Sequence, residues 1–541
     1  MTPPPPPPDD SFSLFVREPS GERPEYPIKF ALFGAFGDLA LSRINKQVYE
    51  YTTRTHPKSL LEVYLCDTIP DSNKSRLLAE LYCRCQGYRQ LDSYFTSEFQ
   101  ALIDPGGDTG SISAPEVEGK ITSMKGIMDD TILTPLGQFI IENYRMTASR
   151  ENFTAVFAGP QLIDTDWIFY LALPPTAYRT ICRYIQAQFK SAAPRLAASD
   201  TRKLVLIEKP FQTSLKKAEE LAGELEAMED EPLGFQFYSV DHYAAKWTLS
   251  RLPAMVRELQ TFRDIVSNTE RIVIDLAEDK DVPEFRTGYM ASTGLFNDMM
   301  PHALVALQFL FAGKKVRVLG DRSECLVIGA HEDYMAAAGN LQGDGETTHP
   351  NLETYFSLKL ELCVSGQDQD TSRPVTVYIR CAKALLKEKK KVHIIPHREE
   401  DDLPFFTIDI AREDFPEPSI EEVYPESLTD GDVSRGELRG YSKILFDAVS
   451  FLRRNKAVGR GDAPPPLEFL TPAQSVQVIR NMEEIRKYLQ ASYAREHNGR
   501  DPFATPQSYP TGISFLDKEK EHPILFPIEP DEHEPGMQAP S

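Results

Sequence analysis

Residues 28–39 read IKFALFGAFGDL, an apolar run from Ile28 to Phe33 followed by Gly34 and Gly37. A short apolar run that ends in glycine predicts a buried strand entering a tight turn. Glycines at such a turn let the backbone approach a pyrophosphate. A helix starting near Asp38 and Leu39 would add free N–H groups and a favourable dipole. The pattern is only part of a G-x-G-x-x-G fingerprint. Taken alone, it fits equally well a glycine-rich strand-to-helix turn that holds no ligand.

On either side of this stretch the periodicity fixes the fold class. Leu61–Cys66 (LEVYLC) is a second strand, and Trp167–Leu173 (WIFYLAL) is a continuous apolar strand stopped by Pro174 and Pro175. Helical spacing runs from Tyr178 to Phe189, and Leu204–Ile207 gives another buried strand. Apolar strands alternating with helices predict a parallel α/β sheet. Beyond Phe211 the pattern changes: a helix over Ser214–Met228, a strand over Phe235–Val240, then longer strands at Arg271–Leu276, Tyr355–Cys363 and Val375–Cys381. The expected architecture is α/β: an N-terminal Rossmann-like parallel-sheet domain over 26–212, then a C-terminal α+β domain with a large antiparallel sheet over 213–515. A proline-rich tail (1–25) and a charged tail (516–541) flank them. The Gly-, Asp-, Ser- and Pro-rich stretch 104–119 is expected to be a surface insertion.

Composition narrows the function classes. At 541 residues the chain can hold two domains of ordinary size, and 41% hydrophobic residues mark a folded protein. A formal net charge of -22 argues against nucleic acid or an anionic membrane as the main partner. An anionic ligand would therefore need a local basic cluster opposing the global field. The seven cysteines, Cys66, Cys83, Cys85, Cys182, Cys325, Cys363 and Cys381, suggest neither a disulfide framework nor zinc knuckles. No apolar run reaches the about 18 residues of a membrane span. The first ten residues lack the basic and apolar regions of a signal peptide. A reducing cytoplasm is the expected location.

Five further segments recur together in one family. They are Tyr170–Pro175 (YLALPP), Ile207–Phe211 (IEKPF), Val240–Lys246 (VDHYAAK), Gly294–Leu304 (GLFNDMMPHAL) and Arg380–Leu385 (RCAKAL). In order and approximate spacing they resemble the marker segments of glucose-6-phosphate dehydrogenases, and Gly440–Asp447 (GYSKILFD) resembles a helix of the same family. The resemblance covers roughly residues 28 to 450. It implies phosphate binding by His242, Tyr243 and Lys246, and Asp241 orienting a catalytic histidine. A phosphate dianion needs several donors, and a cation four residues on would face it from the same side of a helix. His302 matches the general base, and an imidazole with an ordinary pKa of about 6.5 suits that work. Lys209 matches a lysine that reaches both sugar and cofactor from a strand's carboxyl end. Glu278, Asp298 and Lys383 match further sugar-contacting positions, and Pro210 a position preceded by a cis peptide. Gly34, Gly37, Asp38, Leu39, Asp67 and Lys209 are the implied cofactor-binding set.

The chain also departs from the family pattern. Phe36 stands where the family has a Ser or Thr that bonds the pyrophosphate. Losing one charge-assisted hydrogen bond costs roughly 1.5–3 kcal/mol. Asp67 stands where NADP-preferring members carry arginine. The implied cofactor is NADP, but a carboxylate there accepts from a free ribose 2′-OH and repels a phosphate, so NAD is the alternative. Asp67 equally fits a turn with Thr68 and Pro70. The Asp298-to-His302 spacing is one residue shorter than in the family. Pro301 sits within the expected helix, and alignment on His302 instead puts the aspartate position at Asn297. The leading expectation is oxidation of glucose 6-phosphate at C1 by a homodimer or homotetramer. The alternatives are a non-catalytic paralogue that binds sugar phosphate or docks to a true dehydrogenase, and a dehydrogenase for another hexose.

Overall fold

The computed structural model describes residues 28–34, 39–40, 44, 61–66, 144–147, 165–192, 201–230, 233–282, 287–312, 314–340, 351–365, 374–397, 406–410, 440–458, 465–504 and 506–510. The expectations for both tails, the 104–119 insertion and positions Phe36, Gly37, Asp38 and Asp67 lie outside these residues. The chain divides into two compact units: Met1–Leu259 with Leu304–Phe309 and Arg412–Glu483, and Gln260–Ala303 with Leu310–Ala411 and Glu484–Ser541.

The first unit is built on a seven-stranded sheet. Its strands are β1 (Ile28–Phe33), β2 (Leu61–Cys66), β3 (Tyr144–Thr147), β4 (Asp166–Leu171), β5 (Lys203–Glu208) and β6 (Phe235–Val240), and a short later strand, Phe469–Leu470, closes it. The order is β3-β2-β1-β4-β5-β6 with Phe469–Leu470 beyond β6, and every pair is parallel except that last one. This is the doubly wound dinucleotide-binding order, whose switch point lies between β1 and β4. Strands β1, β4 and β5 are buried at every residue because helices cover both faces. Ile28, Phe30, Leu32, Tyr170, Leu204 and Val240 pack on Ile444, Leu445, Val449 and Leu452 of helix Gly440–Val458. Ala31, Phe33, Trp167, Phe169, Val205 and Phe237 pack on the opposite face, against Tyr178, Ile185 and Phe189 of α1 (Pro175–Ala192) and Leu221 and Leu225 of α2 (Leu215–Glu229). Pro175, expected only as a strand stop, opens α1. The first helical position suits proline because its missing N–H has no partner there anyway. Ser214 is the N-cap of α2.

The second unit is built on an eight-stranded sheet. Its strands are β7 (Thr269–Ala277), β8 (Lys315–Val318), β9 (Glu324–His331), β10 (Tyr355–Ser365), β11 (Pro374–Ala382), β12 (Lys389–Pro396), β13 (Phe406–Asp409) and, after Phe469–Leu470 (β14), β15 (Gln507–Tyr509). The order is β13-β12-β7-β11-β10-β9-β15, with β8 also on β10. Pairing is antiparallel except for β11 on β7 and β15 on β9. The architecture expected from the sequence is observed: a Rossmann-like parallel sheet and a larger, mostly antiparallel one. Helix α3 (Thr287–Leu310) lies between β7 and β8 in the chain, and α4 (Glu332–Asn340) follows β9. Pro301 sits inside α3, but the break falls at Gly294 (φ 74, ψ 156).

Candidate functional site

At the carboxyl end of β1, Gly34 has φ +72, and a Cβ there would stand 2.3 Å from the carbonyl oxygen of Ala172. Both conditions require glycine, so the turn is as tight as a dinucleotide-binding turn must be. Leu39 packs, partly buried, on the first unit's core. At this edge a dinucleotide fits the tests that the described residues allow: strand order, switch point and a Cβ-free turn.

Two neighbouring strand ends carry the charged side chains. In register, Glu208 at the end of β5 lies beside Val240 at the end of β6. Lys209 and Asp241 follow directly, so adjacent parallel strands deliver them to one edge. The Lys209–Pro210 peptide is cis, as the resemblance implies. Glu208 is buried; Tyr170 donates its hydroxyl to the carboxylate, and the Lys209 N–H donates at 3.2 Å. Tyr178 donates to the Glu208 carbonyl at 2.7 Å. Burial, aided by nearby Asp241, pushes the Glu208 carboxyl up to about 7 against its hydrogen bonds and Lys209.

Asp241 is 1% exposed, and its Oδ1 accepts from the amides of Tyr243 (2.8 Å) and Ala244 (3.3 Å). This local capture holds 242–246 as turns, where helical spacing of His242 and Lys246 was expected. Helix begins only at Trp247, with Lys246 as its N-cap. The turn still groups the expected phosphate-binding side chains. The Lys246 ammonium lies 4.4 Å from the Tyr243 ring centroid, and the Tyr243 and His242 rings are 5.0 Å apart. His242 also stacks on Tyr441 at 5.1 Å and 13°.

Beneath this turn, the Asp241 amide donates to the Glu468 carbonyl at 3.3 Å. Lys443 donates to Asp447 (2.5 Å) and to both oxygens of Glu468 (2.9 and 3.0 Å). Burial pushes the Glu468 carboxyl up against the pull of Lys443. The triad ties helix Gly440–Val458 and β14 to the strand end that carries Asp241.

In the second unit, Glu278 follows β7 and Lys383 follows β11, which are neighbouring strands. The Lys383 ammonium is 2.5 Å from Glu278 Oε2, so these two expected sugar contacts are bonded to each other. Asp298 accepts from the Tyr289 hydroxyl at 3.1 Å. Burial holds the Cys381 thiol well above its usual range; Asp275, Asp298 and Glu278 add to this and Lys383 opposes it. Asn297, the other alignment of the aspartate, instead bonds the Thr293 carbonyl of its own helix at 2.7 Å. His302 is 2% exposed and lies one turn beyond Asp298 on α3, on the same helix face. Asp281, His331 and Asp333 each place a potential ligand atom within 4.8 Å of the others, with His331 Nδ1 3.0 Å from Asp281 Oδ1.

Sequence reasoning missed Glu208, Tyr441, Glu468 and, on a loop before β10, Glu353. Glu208 and Tyr441 stand inside marker segments but had no role assigned, and Lys443 and Asp447 carried the further signal of i,i+4 spacing.

Residues 144–250 match the family model described as the glucose-6-phosphate dehydrogenase NAD-binding domain. Glucose-6-phosphate 1-dehydrogenase from Takifugu rubripes is 26% identical over 286 residues, covering 47% of this chain and 50% of that protein. The cytoplasmic isoform from Solanum tuberosum is 28% identical over 246 residues, covering 42% of this chain and 44% of that protein. The chain thus spans about half the length of the curated relatives it matches. Among solved structures, a glucose-6-phosphate dehydrogenase in complex with glucose 6-phosphate superposes with TM-score 0.55 at 16% identity, over 93% of this chain and 99% of that one. The Mycobacterium avium enzyme gives 0.50 at 17%, over 90% and 95%. At these identities the superpositions establish the fold. No helix among the described residues is long and apolar enough to cross a membrane. Strand order, marker segments and relatives agree: over residues 144–250 the chain carries a domain that matches the glucose-6-phosphate dehydrogenase NAD-binding domain, and over about half their length it is similar to those enzymes.

Proposed function

We propose that the protein oxidises glucose 6-phosphate at C1 to the lactone. The observation that carries this reading is the strand-end cluster of the first unit. Lys209, His242, Tyr243 and Lys246 sit at the carboxyl ends of adjacent parallel strands, the edge where open α/β sheets bind ligands. In a chain of charge -22, such a local basic cluster is what a phosphate dianion needs.

A nicotinamide dinucleotide supplies a hydride acceptor for C1. The chain's own residues would do the rest. His242, Tyr243 and Lys246 hold the phosphate, and Lys209 the sugar. His302 takes the proton of the C1 hydroxyl as the C1–H bond breaks, so that two electrons leave as hydride and a C=O bond forms. Asp241 sets the orientation of the imidazole, and Asp298, Glu278 and Lys383 hold sugar hydroxyls. The resemblance assigns the cofactor to Gly34, Gly37, Asp38, Leu39 and Asp67, with NADP the expected dinucleotide and NAD favoured by Asp67. Association as a homodimer or homotetramer and a cytoplasmic location belong to the same reading.

Steady-state assays of the purified chain with glucose 6-phosphate, run separately with NAD and NADP, test it. Turnover with either supports the proposal. Saturable glucose 6-phosphate binding without turnover would instead identify a sugar-phosphate-binding paralogue, the reading that Phe36 favours.

A further inference from the structure

Helix α3 is two helices joined at Gly294, and every helix end leaves backbone groups to satisfy. The short segment Asn351–Glu353 meets both ends. On the outgoing side, the Asn351 side-chain amide donates to the carbonyls of Ala291 (3.1 Å) and Ser292 (3.2 Å), and its backbone N–H donates to Ala291 at 2.9 Å. On the incoming side, the Leu295 N–H donates to the Glu353 carbonyl at 3.4 Å. The Glu353 carboxylate lies against the new helix start, so close that a Cβ on Gly294 would stand 2.3 Å from its Oε1. A negative charge at a helix N-terminus is favoured by the dipole. Glu353 is 1% exposed, and Arg486 of helix Pro472–Glu496 holds it at 3.3 Å. That guanidinium is itself fixed between Phe296 (5.0 Å) and Phe503 (4.4 Å).

We infer that Glu353 is a positioning residue: with Asn351 it splices the two halves of α3 and sets the orientation of Asp298 and His302, one and two turns beyond the break. This rests on the reading of Asp298 and His302 as site residues. The splice compensates for two features that weaken the helix locally. Gly294 breaks it, and Pro301 removes the N–H that would bond the Asn297 carbonyl. With the helix's own ladder interrupted on both sides of Asp298, the orientation of that turn depends on the external cap.

Charge state matters to such a cap. Burial pushes the Glu353 carboxyl up to about 6, opposed by Arg486 and by the backbone N–H groups of Glu353 and Phe296, and assisted by Asp501. Among the described residues, Tyr334 of α4 also lies in its field. Below pH about 6 the carboxyl is neutral and the charge on the cap is lost. Above it, the carboxylate carries its charge at the helix start.

The test compares the full-length protein with Glu353→Gln and Asn351→Ala by three readouts: amide hydrogen exchange over 287–303, the His302 imidazole resonances, and kcat and KM for glucose 6-phosphate against pH. The expected result for Glu353→Gln is exchange over 295–300 faster by about tenfold, as loss of roughly 1.4 kcal/mol would give. The His302 resonances move, and kcat falls with KM little changed. The acid limb of the wild-type profile near pH 6 loses in the variant the part due to Glu353 and keeps only the part due to the base. Unchanged exchange or unmoved His302 resonances would overturn the inference whatever the turnover. Altered exchange with wild-type kcat at all pH values would reduce Glu353 to a structural residue and also overturn it. If the wild type turns over no glucose 6-phosphate while His302 responds to Glu353→Gln, the splice stands and the dehydrogenase reading fails.

Discussion

The two sheets place their charged residues differently. In the parallel sheet of the first unit, β1, β4 and β5 are buried along their full length; Lys29, Asp166 and Lys203 stand near their amino-terminal ends, and Glu208, Lys209 and Asp241 at and just beyond the carboxyl ends. In the second unit Glu278 and Lys383 also follow strand ends, but a further set of charges lies within the strands. Asp275 of β7 is fully buried and bonded by Arg380 of β11, with Lys389 (3.2 Å) and His393 (3.7 Å) of β12 on the same carboxylate. Burial alone would raise the Asp275 carboxyl, but Arg380, His393 and Lys389 outweigh it and hold it well below the usual range. Charges at strand ends can face a ligand, whereas charges inside a sheet are consumed in tying strands together. The comparison makes the strand-end charges of both units the candidates for recognition. It assigns the Asp275 knot to stability, although Lys383 and Glu278 lie on the neighbouring strand ends.

The largest expected effect tests the stability half. Asp275→Ala leaves Arg380 and Lys389 without their carboxylate and should destabilise the second unit by about 3–5 kcal/mol, read by urea denaturation. A wild-type midpoint would contradict the assignment. Next, His302→Asn should lower kcat by about 10²–10⁴ if it removes a general base, while calorimetry still detects glucose 6-phosphate. Lys246→Ala should raise the glucose 6-phosphate KM by about ten- to a hundred-fold, the equivalent of one charge-assisted bond, with an unchanged denaturation midpoint. Equal effects of Lys246→Ala and Lys383→Ala on KM would blur the contrast between the two edges.

The smallest effect concerns pH and Glu208. Burial raises its folded-state pKa to about 7 from the ordinary carboxylate value of about 4.5, so folding favours the protonated form. Its contribution is most favourable below about 4.5 and is lost as pH rises toward 7. Glu208→Gln should flatten the stability profile across that window. A variant that kept the wild-type slope would place the proton elsewhere.

The parallel sheet was legible because a strand buried on both faces reads as an unbroken apolar run, and IKFALF and WIFYLAL can hardly be read otherwise. The marker segments located the strand-end residues for the same reason: they are contiguous. Less was legible where partners are distant in sequence. Nothing around Glu353 announces that it caps a helix start nearly sixty residues earlier, and Glu468 reads as one acid after a run of prolines. The helix at Lys246 was expected one turn too early, because the Asp241 side chain captures the amides that a helix would use. Pro301 was the expected site of disruption in α3, yet the break falls at Gly294, where positive φ and the crowding of Glu353 coincide.

The central claim is a hydride transfer from the sugar, and isotope transfer tests it most directly. The purified protein is incubated with glucose 6-phosphate deuterated at C1 and an oxidised nicotinamide dinucleotide, and the reduced dinucleotide is examined by mass spectrometry. The account predicts deuterium in the reduced nicotinamide, formed by the wild type and greatly diminished with His302→Asn. Unlabelled dinucleotide, or none reduced with either NAD or NADP, would contradict it.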